Sequence, residues 1–224
     1  MKVPSKVLLV VGSPQKERST SSSLGNFLMD RMKERGASVE RVFAYDLFDN
    51  EVMAQEALQM LSAADLVVLA SPVYVDSLPS QVMRFMEQTY SRFGPGSMSG
   101  KHFVGMVNMA FSEKVQGETA VRIMHEYALD MGFSWTGGLI LPQGPMIMGR
   151  RLDEIGGSAH RVKGALQMTA EAIMSGNDTP REAKEMMART MAPPWIYNII
   201  VNHMFKKQAA QNGVKRRLYD IPYK

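Results

Sequence analysis

Short apolar runs alternate with helical patterns along the first 141 residues of the chain. Residues 7–11 are apolar on both faces and precede Gly-Ser-Pro, a pattern typical of a strand buried between two helix layers. Similar runs predict further strands at residues 39–44, 66–70, 102–109 and 135–141. Strands that alternate with helices in this way indicate a doubly wound, five-stranded parallel sheet of the α/β class.

Between the strands, apolar residues recur at steps of three and four, which is the spacing of one helix face. Leu24, Phe27 and Leu28 mark a helix over residues 21–35, and Gly36 supplies its stop. Further helices are predicted at residues 52–63, from Pro79 to Tyr90, at 118–131 and at 158–175.

The end of the chain departs from the alternation. Residues 142–157 are rich in Gly and Pro, and we interpret them as a solvated loop in preference to a lid carrying Arg150 and Arg151. Residues 175–180 have the composition of a linker. We therefore predict one domain over residues 1–178 and a helical, basic extension over residues 179–224.

Composition excludes several classes of site. The 224 residues include no cysteine, which excludes disulfides, Cys-ligated zinc, iron–sulfur clusters and a thiol nucleophile, and fits a cytoplasmic protein. The four histidines have no ligand spacing, so no metal is expected. No apolar stretch approaches the roughly 18 residues of a transmembrane helix. A net charge of +4 is too small to indicate nucleic-acid binding, although it favours small anions.

The first segment with candidate chemistry is residues 12–23, which follow the first strand and open the first helix. Residues 19–23 are five consecutive hydroxyl side chains, preceded by Lys16 and Arg18. Amides at a helix N-terminus stabilise an anion, and ligands of α/β sheets bind beyond the carboxyl ends of the strands. This position favours a phosphate site over an ordinary helix cap, although the spacing is neither a Walker A loop nor Gly-x-Gly-x-x-Gly.

Two further segments follow the third and fourth strands. Residues 71–79 carry two prolines and Tyr74, whose ring either faces a planar heterocycle or caps the core. Residues 108–112, Asn-Met-Ala-Phe-Ser, either wrap the other side of such a ring or form a plain connection.

Together these segments resemble the NADPH-dependent FMN reductase family of the flavodoxin-like superfamily. The resemblance covers residues 6–141 and rests on Val-Gly-Ser-Pro with its Ser/Thr run and on Ala-Asp-Leu-Val-Val-Leu-Ala-Ser-Pro-Val-Tyr, followed by Leu-Pro. It implies the strand order 2-1-3-4-5 and FMN as the cofactor. Many relatives have arginine where this chain has Gln15, so Lys16 or Arg18 would supply that charge. The cysteine-dependent iron–sulfur branch is excluded, and the glycine-rich third loop of the quinone-reductase branch is absent.

The resemblance also assigns candidate residues. The implied phosphate ligands are Ser13, Lys16, Arg18, Ser19, Thr20, Ser21 and Ser22, and the implied ring-lining residues are Pro72, Val73, Tyr74, Asn108, Ala110, Phe111 and Ser112. No catalytic side chain is expected, because the flavin supplies the chemistry and the protein supplies its position.

The favoured hypothesis is an FMN-dependent NAD(P)H oxidoreductase that reduces a small acceptor such as a flavin or quinone. Alternatives are a non-enzymatic electron carrier like flavodoxin, or a binding protein that uses the fold without a flavin. Three interpretations of the extension compete: it packs on a partner subunit, it lies on a membrane surface, or it is a solvated tail. Packing in a homodimer or homotetramer is favoured, because the related reductases often complete the flavin site across a dimer.

Overall fold

The computed structural model describes residues 2–48 and 50–221. Five parallel strands form one sheet in the order β2-β1-β3-β4-β5, as predicted. They are β1 (Lys6–Val11), β2 (Ser38–Phe43), β3 (Leu66–Pro72), β4 (His102–Asn108) and β5 (Ser134–Leu141). The helices of the described residues are α1 (Thr20–Lys33), α2 (Glu51–Ala63), α3 (Ser80–Phe93), α4 (Glu118–Met131), α5 (His160–Met174), α6 (Arg181–Met187) and α7 (Pro194–Gln211).

Alternate residues of the central strands enter two separate cores. Val7, Leu9 and Val11 of β1 face one core, and Leu8 and Val10 face the other. All five are at most 2% exposed. Because both faces of a doubly wound sheet are covered, such a strand is apolar at every position, and this is the pattern that identifies it in the sequence.

The helices form one layer on each face of the sheet. The apolar faces of α1, α5 and α6 bury against the core that includes Val7, whereas α2, α3 and α4 bury against the core that includes Leu8. Ser19 caps α1 by accepting a hydrogen bond from the amide of Ser22 at 3.0 Å. α1 therefore begins at the carboxyl edge of the sheet, shortly after β1 ends.

The segment between α5 and α6 is packed against the sheet, so its interpretation as a linker was wrong. Thr179 is 4% exposed, and its amide donates to the carbonyl of Thr136 in β5 at 2.9 Å. Gly137, with φ of 149°, lies so close to Thr179 that a Cβ atom would be 2.7 Å from its side chain. Backbone pairing and this close approach join α6 to the edge strand.

Residues 142–157 also differ from their prediction as a solvated loop. The segment forms three short 3-10 turns, and Ile147, Leu152 and Ile155 are at most 4% exposed within the core beneath α1 and α5. Arg150 donates to the carbonyls of Met146 and Ile147 and so folds back on its own segment. The segment lacks helical periodicity, yet it closes one side of the core.

The chain divides into two compact units after Met191. The predicted boundary after residue 178 lies earlier, because α6 packs on α5 and β5 within the first unit. In the second unit, α7 is followed by a 3-10 turn at Lys215–Arg217, and the amide of Val214 donates to the carbonyl of Ala209 at 2.9 Å. Within the described part of the chain, no helix combines the length and the apolar character needed to cross a membrane.

Asp65 fastens the amino end of β3 to that of β1. Its carboxylate accepts from the amide and hydroxyl of Ser5 at 2.9 and 2.7 Å and from the amide of Lys6 at 2.9 Å. The hydrogen bond from the Ser5 hydroxyl is the main cause that holds the pKa of Asp65 below its usual value. The ionised form is therefore the one that the folded state prefers.

We predict that Asp65→Asn lowers the free energy of unfolding by about 1 kcal/mol at pH 7, because hydrogen bonds to an ionised group are the stronger ones. A lowered folded-state pKa contributes stability above the ordinary aspartate pKa of about 4, and that contribution is lost as the pH falls through the folded-state pKa. The free energy of unfolding of variant and parent is measured by urea denaturation at pH 7 and at pH 3. The difference between the two proteins should be smaller at pH 3. Asp153→Asn, at an exposed carboxyl group, is the control. A difference that persists at pH 3 would contradict the role of the charge.

Candidate functional site

The segments that leave the strands are tied together at the carboxyl edge of the sheet. Asn108, at the end of β4, donates through Nδ2 to the Ser21 hydroxyl at 2.7 Å and to the Ser71 carbonyl at 3.2 Å. The backbone carbonyl of Asn108 accepts a hydrogen bond from the amide of Val73 at 2.9 Å. One side chain, which is 7% exposed, thus joins the ends of β3 and β4 to the first turn of α1.

The segment between β1 and α1 is a tight turn built around one carbonyl group. The carbonyl of Lys16 accepts hydrogen bonds from the hydroxyls of Ser19 and Ser22, each at 2.6 Å, and from the amide of Ser19 at 3.2 Å. Lys16 has a left-handed backbone with φ of 48°. Two of the predicted phosphate ligands therefore use their hydroxyl protons to hold the turn.

Three amides at the two ends of the same segment have no hydrogen-bond partner within residues 2–48 and 50–221. They belong to Ser13, at the exit from β1, and to Thr20 and Ser21, in the first turn of α1. Ser13 and Ser21 are 4% and 1% exposed. Buried amides are nearly always paired, so these three are suited to an anion with several acceptor oxygens at the N-terminus of α1.

The remaining hydroxyl groups fall into two sets. Thr20 donates to the carbonyl of Gly144 at 3.0 Å, and Ser23 donates to the carbonyl of Ser19 at 3.2 Å. Ser13 and Ser21 accept hydrogen bonds, from the Gln15 amide and from Asn108, and neither donates one within the described residues. Their hydroxyl protons are therefore the ones available to a bound acceptor.

The charged side chains around this turn are largely paired. Lys16 forms an ion pair with Asp46, and Glu17 forms one with Arg41 at 2.9 Å. Arg18 is exposed and has no ion-pair partner in the part of the chain that the structure describes. Of the two cations that the sequence offers for a phosphate, Arg18 is thus the one whose charge is not offset by a carboxylate.

The segment after β3 presents an aromatic side chain at this edge. Tyr74 and Ser77 exchange backbone hydrogen bonds at 2.8 and 3.2 Å across a turn in which Val75 and Asp76 have positive φ. The Tyr74 side chain is 48% exposed. The turn therefore holds the ring at the surface and not over the core, which was the alternative position predicted from the sequence.

Tyr45 is a neighbour of this segment that sequence analysis missed. Burial raises its pKa, and the nearby Tyr74 raises it further. Burial also raises the pKa of Tyr74. Tyr45 and Asp46 lie in a 3-10 turn at Ala44–Phe48, directly after β2. Their position after a strand end is the signal that could have found them.

The segment after β4 contains both buried and exposed candidates. Asn108 and Met109 are buried, whereas Phe111 is 47% exposed and Ala110 is exposed. The hydroxyl of Ser112 accepts from Gln143 Nε2 at 3.1 Å. Phe111 is therefore the second aromatic side chain exposed at this edge, and Ser112 is held by the segment that follows β5.

The segment after β5 covers the turn between β1 and α1. The Gly144 amide donates to the carbonyl of Met109 at 2.7 Å, and its carbonyl receives the Thr20 hydroxyl. Gly149, with φ of 69°, lies so close to Arg18 that a Cβ atom would overlap the Arg18 carbonyl. None of the site residues predicted from the sequence lies in this segment, because a glycine indicates close approach only when the opposing segment is known.

Among the described residues, no group of three His, Asp or Glu side chains is arranged to hold a metal ion. The chemistry of the edge is instead that of amides, hydroxyls, one unpaired guanidinium and exposed aromatic rings. Such a set can bind an anion joined to a flat, apolar group.

Comparison with known proteins gives the family context of this edge. The model of a family described as having a flavodoxin-like fold matches residues 5–137, which include β1 to β4 and all three candidate segments at residues 12–23, 71–79 and 108–112. No curated protein was found to match the chain.

Solved structures with the same fold cover most of the chain. An apo NADH:FMN oxidoreductase has a TM-score of 0.61 and 14% identity, over 84% of this chain and 96% of that one. A candidate quinone reductase from Klebsiella pneumoniae has a TM-score of 0.59 and 18% identity, over 79% and 87%. An FMN-dependent NADH-azoreductase from Bacillus anthracis, in complex with FMN, has a TM-score of 0.56 and 11% identity, over 75% and 99%. At these identities the likeness is one of fold.

We predict that Asn108→Ala lowers the free energy of unfolding by about 2 kcal/mol, because it removes the buried side-chain donor of the Ser21 hydroxyl and one donor of the Ser71 carbonyl, and leaves a cavity in their place. Urea denaturation checks this value. Asn177→Ala is the matched control, since that amide is exposed and makes one long hydrogen bond, 3.4 Å, to Ser175. Equal effects of the two substitutions would show that Asn108 does not tie the edge together.

Proposed function

Because the chain belongs to the flavodoxin-like fold family, we propose that it binds FMN at the carboxyl edge of its sheet and acts as an NAD(P)H-dependent oxidoreductase. Within the superfamily, the proposed membership is the NADPH-dependent FMN reductase family. The observation that carries the proposal is the set of three unpaired amides between β1 and α1, beside two exposed aromatic rings.

Fewer residues are proposed to contact the phosphate directly than the run of hydroxyl residues suggests. The amides of Thr20 and Ser21 donate to the phosphate, joined by the amide and hydroxyl of Ser13, the hydroxyl of Ser21 and the guanidinium of Arg18. Ser19, Ser22 and Lys16 belong to the site through the turn they build, because their hydrogen bonds fix the direction of the free amides.

The proposed ring contacts come from the segments after β3 and β4. Tyr74 and Phe111 supply exposed aromatic surface, and Pro72, Val73 and Asn108 form the rigid base on which these two segments meet. Ala110 and Ser112 flank Phe111 and leave room beside it. Aromatic and apolar surface with a few fixed polar groups is the usual lining of a site for a planar cofactor.

Bound FMN supplies the hydride chemistry, accepting reducing equivalents from NAD(P)H and delivering them to a small acceptor such as a flavin or quinone. The protein's part is to bind and orient. Lys16 pairs with Asp46 and Glu17 pairs with Arg41, so the turn between β1 and α1 has no surplus of carboxylates that would repel a dianionic phosphate. No side chain of the chain needs to act as a general acid in this scheme.

The structural neighbours named as a quinone reductase, an azoreductase and an NADH:FMN oxidoreductase support a reductase, although likeness of fold leaves the acceptor open. The decisive measurement is the absorption spectrum of the purified protein after incubation with FMN, followed by NAD(P)H oxidation. We expect flavin bands that are bleached by NAD(P)H. Bound flavin that only a partner reductase can reduce would identify an electron carrier, and protein that retains no flavin would refute the proposal.

Arg18→Ala should weaken FMN binding about tenfold or more, because it removes a charge-assisted hydrogen bond to the phosphate. Quenching of FMN fluorescence on titration measures the affinity. Arg92→Ala is the control, since Arg92 is likewise exposed and has no ion-pair partner among the described residues. If both variants bind FMN as the parent does, Arg18 makes no phosphate contact.

Ser21→Asp should weaken FMN binding about 100-fold or more, since it sets a carboxylate against the phosphate. The new side chain can still accept the hydrogen bond from Asn108, so the joint between β4 and α1 is kept. Ser134→Asp adds the same charge at an exposed position at the amino edge and should bind normally. Unchanged affinity in Ser21→Asp would mean that the phosphate binds elsewhere.

A further inference from the structure

The second unit exposes a dense set of large apolar side chains. Trp195, Ile199 and Phe205 of α7 are 67%, 63% and 55% exposed, and Tyr219 beyond the helix is 83% exposed. Trp195 and Ile199 are one turn apart and share a helix face. Proteins rarely leave clustered apolar surface of this kind in water unless it meets a partner or a membrane.

The same part of the sequence holds the positive charge of the chain. Residues 186–224 contain seven Lys and Arg against one Asp, a net charge of +6, whereas residues 1–185 contain 19 against 21 acidic residues, a net charge of −2. The overall value of +4 therefore conceals a weakly acidic body and a strongly basic extension.

The basic residues lie next to the exposed apolar ones. Lys206 and Lys207 follow Phe205 directly in α7, and the 3-10 turn at Lys215–Arg217 comes shortly before Tyr219. All of these side chains are exposed. Tryptophan and tyrosine favour the boundary between lipid and water, and basic residues next to them are attracted to anionic headgroups.

We infer that residues 192–221 dock on an anionic membrane surface, with Trp195 and Ile199 entering the headgroup region and the lysines and arginines contacting acidic lipids. Trp195 and Ile199 are one turn apart in α7, so the face that they share makes the contact with the surface. A second copy of the chain fits the same surface less well, because extension against extension would bring together two net charges of +6. The inference is independent of the proposed flavin chemistry.

The test uses the full chain with vesicles of phosphatidylcholine alone or mixed with phosphatidylglycerol. In a Trp135→Phe background, Trp195 is the only tryptophan left in the sequence, so its emission reports on α7. Trp135 is half-buried and stacked on Phe103, and phenylalanine retains an aromatic ring there. We expect flotation with the mixed vesicles, a blue shift of the Trp195 emission, and a loss of both with added salt.

Charge variants separate the two contributions to binding. Lys206→Gln with Lys207→Gln should lower vesicle affinity about 30-fold, since each basic residue near an acidic surface contributes about fivefold. Lys6→Gln with Lys33→Gln removes two exposed lysines of the first unit and should leave binding unchanged. Ile199→Ala should weaken binding about tenfold while leaving its salt dependence as it was.

Equal binding to neutral and mixed vesicles, no binding to either, or equal effects of the two lysine pairs would overturn the inference. So would sedimentation equilibrium that shows an oligomer dissociated by Ile199→Ala, since the apolar face would then serve a second copy. Circular dichroism of each variant should match the parent, and a variant with reduced helix content is replaced by Phe205→Ala, which removes another exposed apolar side chain of α7.

Discussion

The carboxyl edge of the sheet depends on the amide group of Asn108. A parallel sheet brings its strand ends to one edge but does not fix the segments that leave them. Nδ2 of Asn108 links Ser71 to Ser21, and the backbone carbonyl of Asn108 accepts a hydrogen bond from the amide of Val73. The first turn of α1 and the segment that carries Tyr74 thereby share one support. Whatever binds at this edge meets amides and an aromatic ring whose separation is set by that side chain.

The sequence allowed the sheet to be predicted because burial on both faces leaves a simple pattern. β1 is apolar at every position from Val7 to Val11, and the polar segment that follows it marks its end. The predicted strand at residues 66–70 and the observed Leu66–Pro72 share their first residue, because Asp65 stands immediately before the apolar run. The family resemblance then supplied the strand order, which periodicity alone does not carry.

The candidate site was less accessible to sequence analysis, because a side chain's partner is a matter of tertiary geometry. The run of hydroxyls indicates a helix start, but not that Ser19 and Ser22 turn towards the Lys16 carbonyl while Ser21 meets Asn108. Residues 142–157 were misjudged for a similar reason. Their apolar residues follow no period, since short 3-10 turns bury single side chains one at a time.

The electrostatic field at the carboxyl edge depends on which charged side chains form ion pairs there and not on the net charge of the chain. The net charge of +4 suggested a general attraction for anions, yet the surplus belongs to residues 186–224. Near α1, the charges of Lys16 with Asp46 and of Glu17 with Arg41 cancel locally, so the proposed preference for an anion rests on unpaired amides and Arg18. Amide dipoles that are fixed by a turn need no reorganisation when a charge arrives. The two proposals thus assign different anions to the two units, a phosphate held by backbone groups and a lipid surface attracted by side-chain charge.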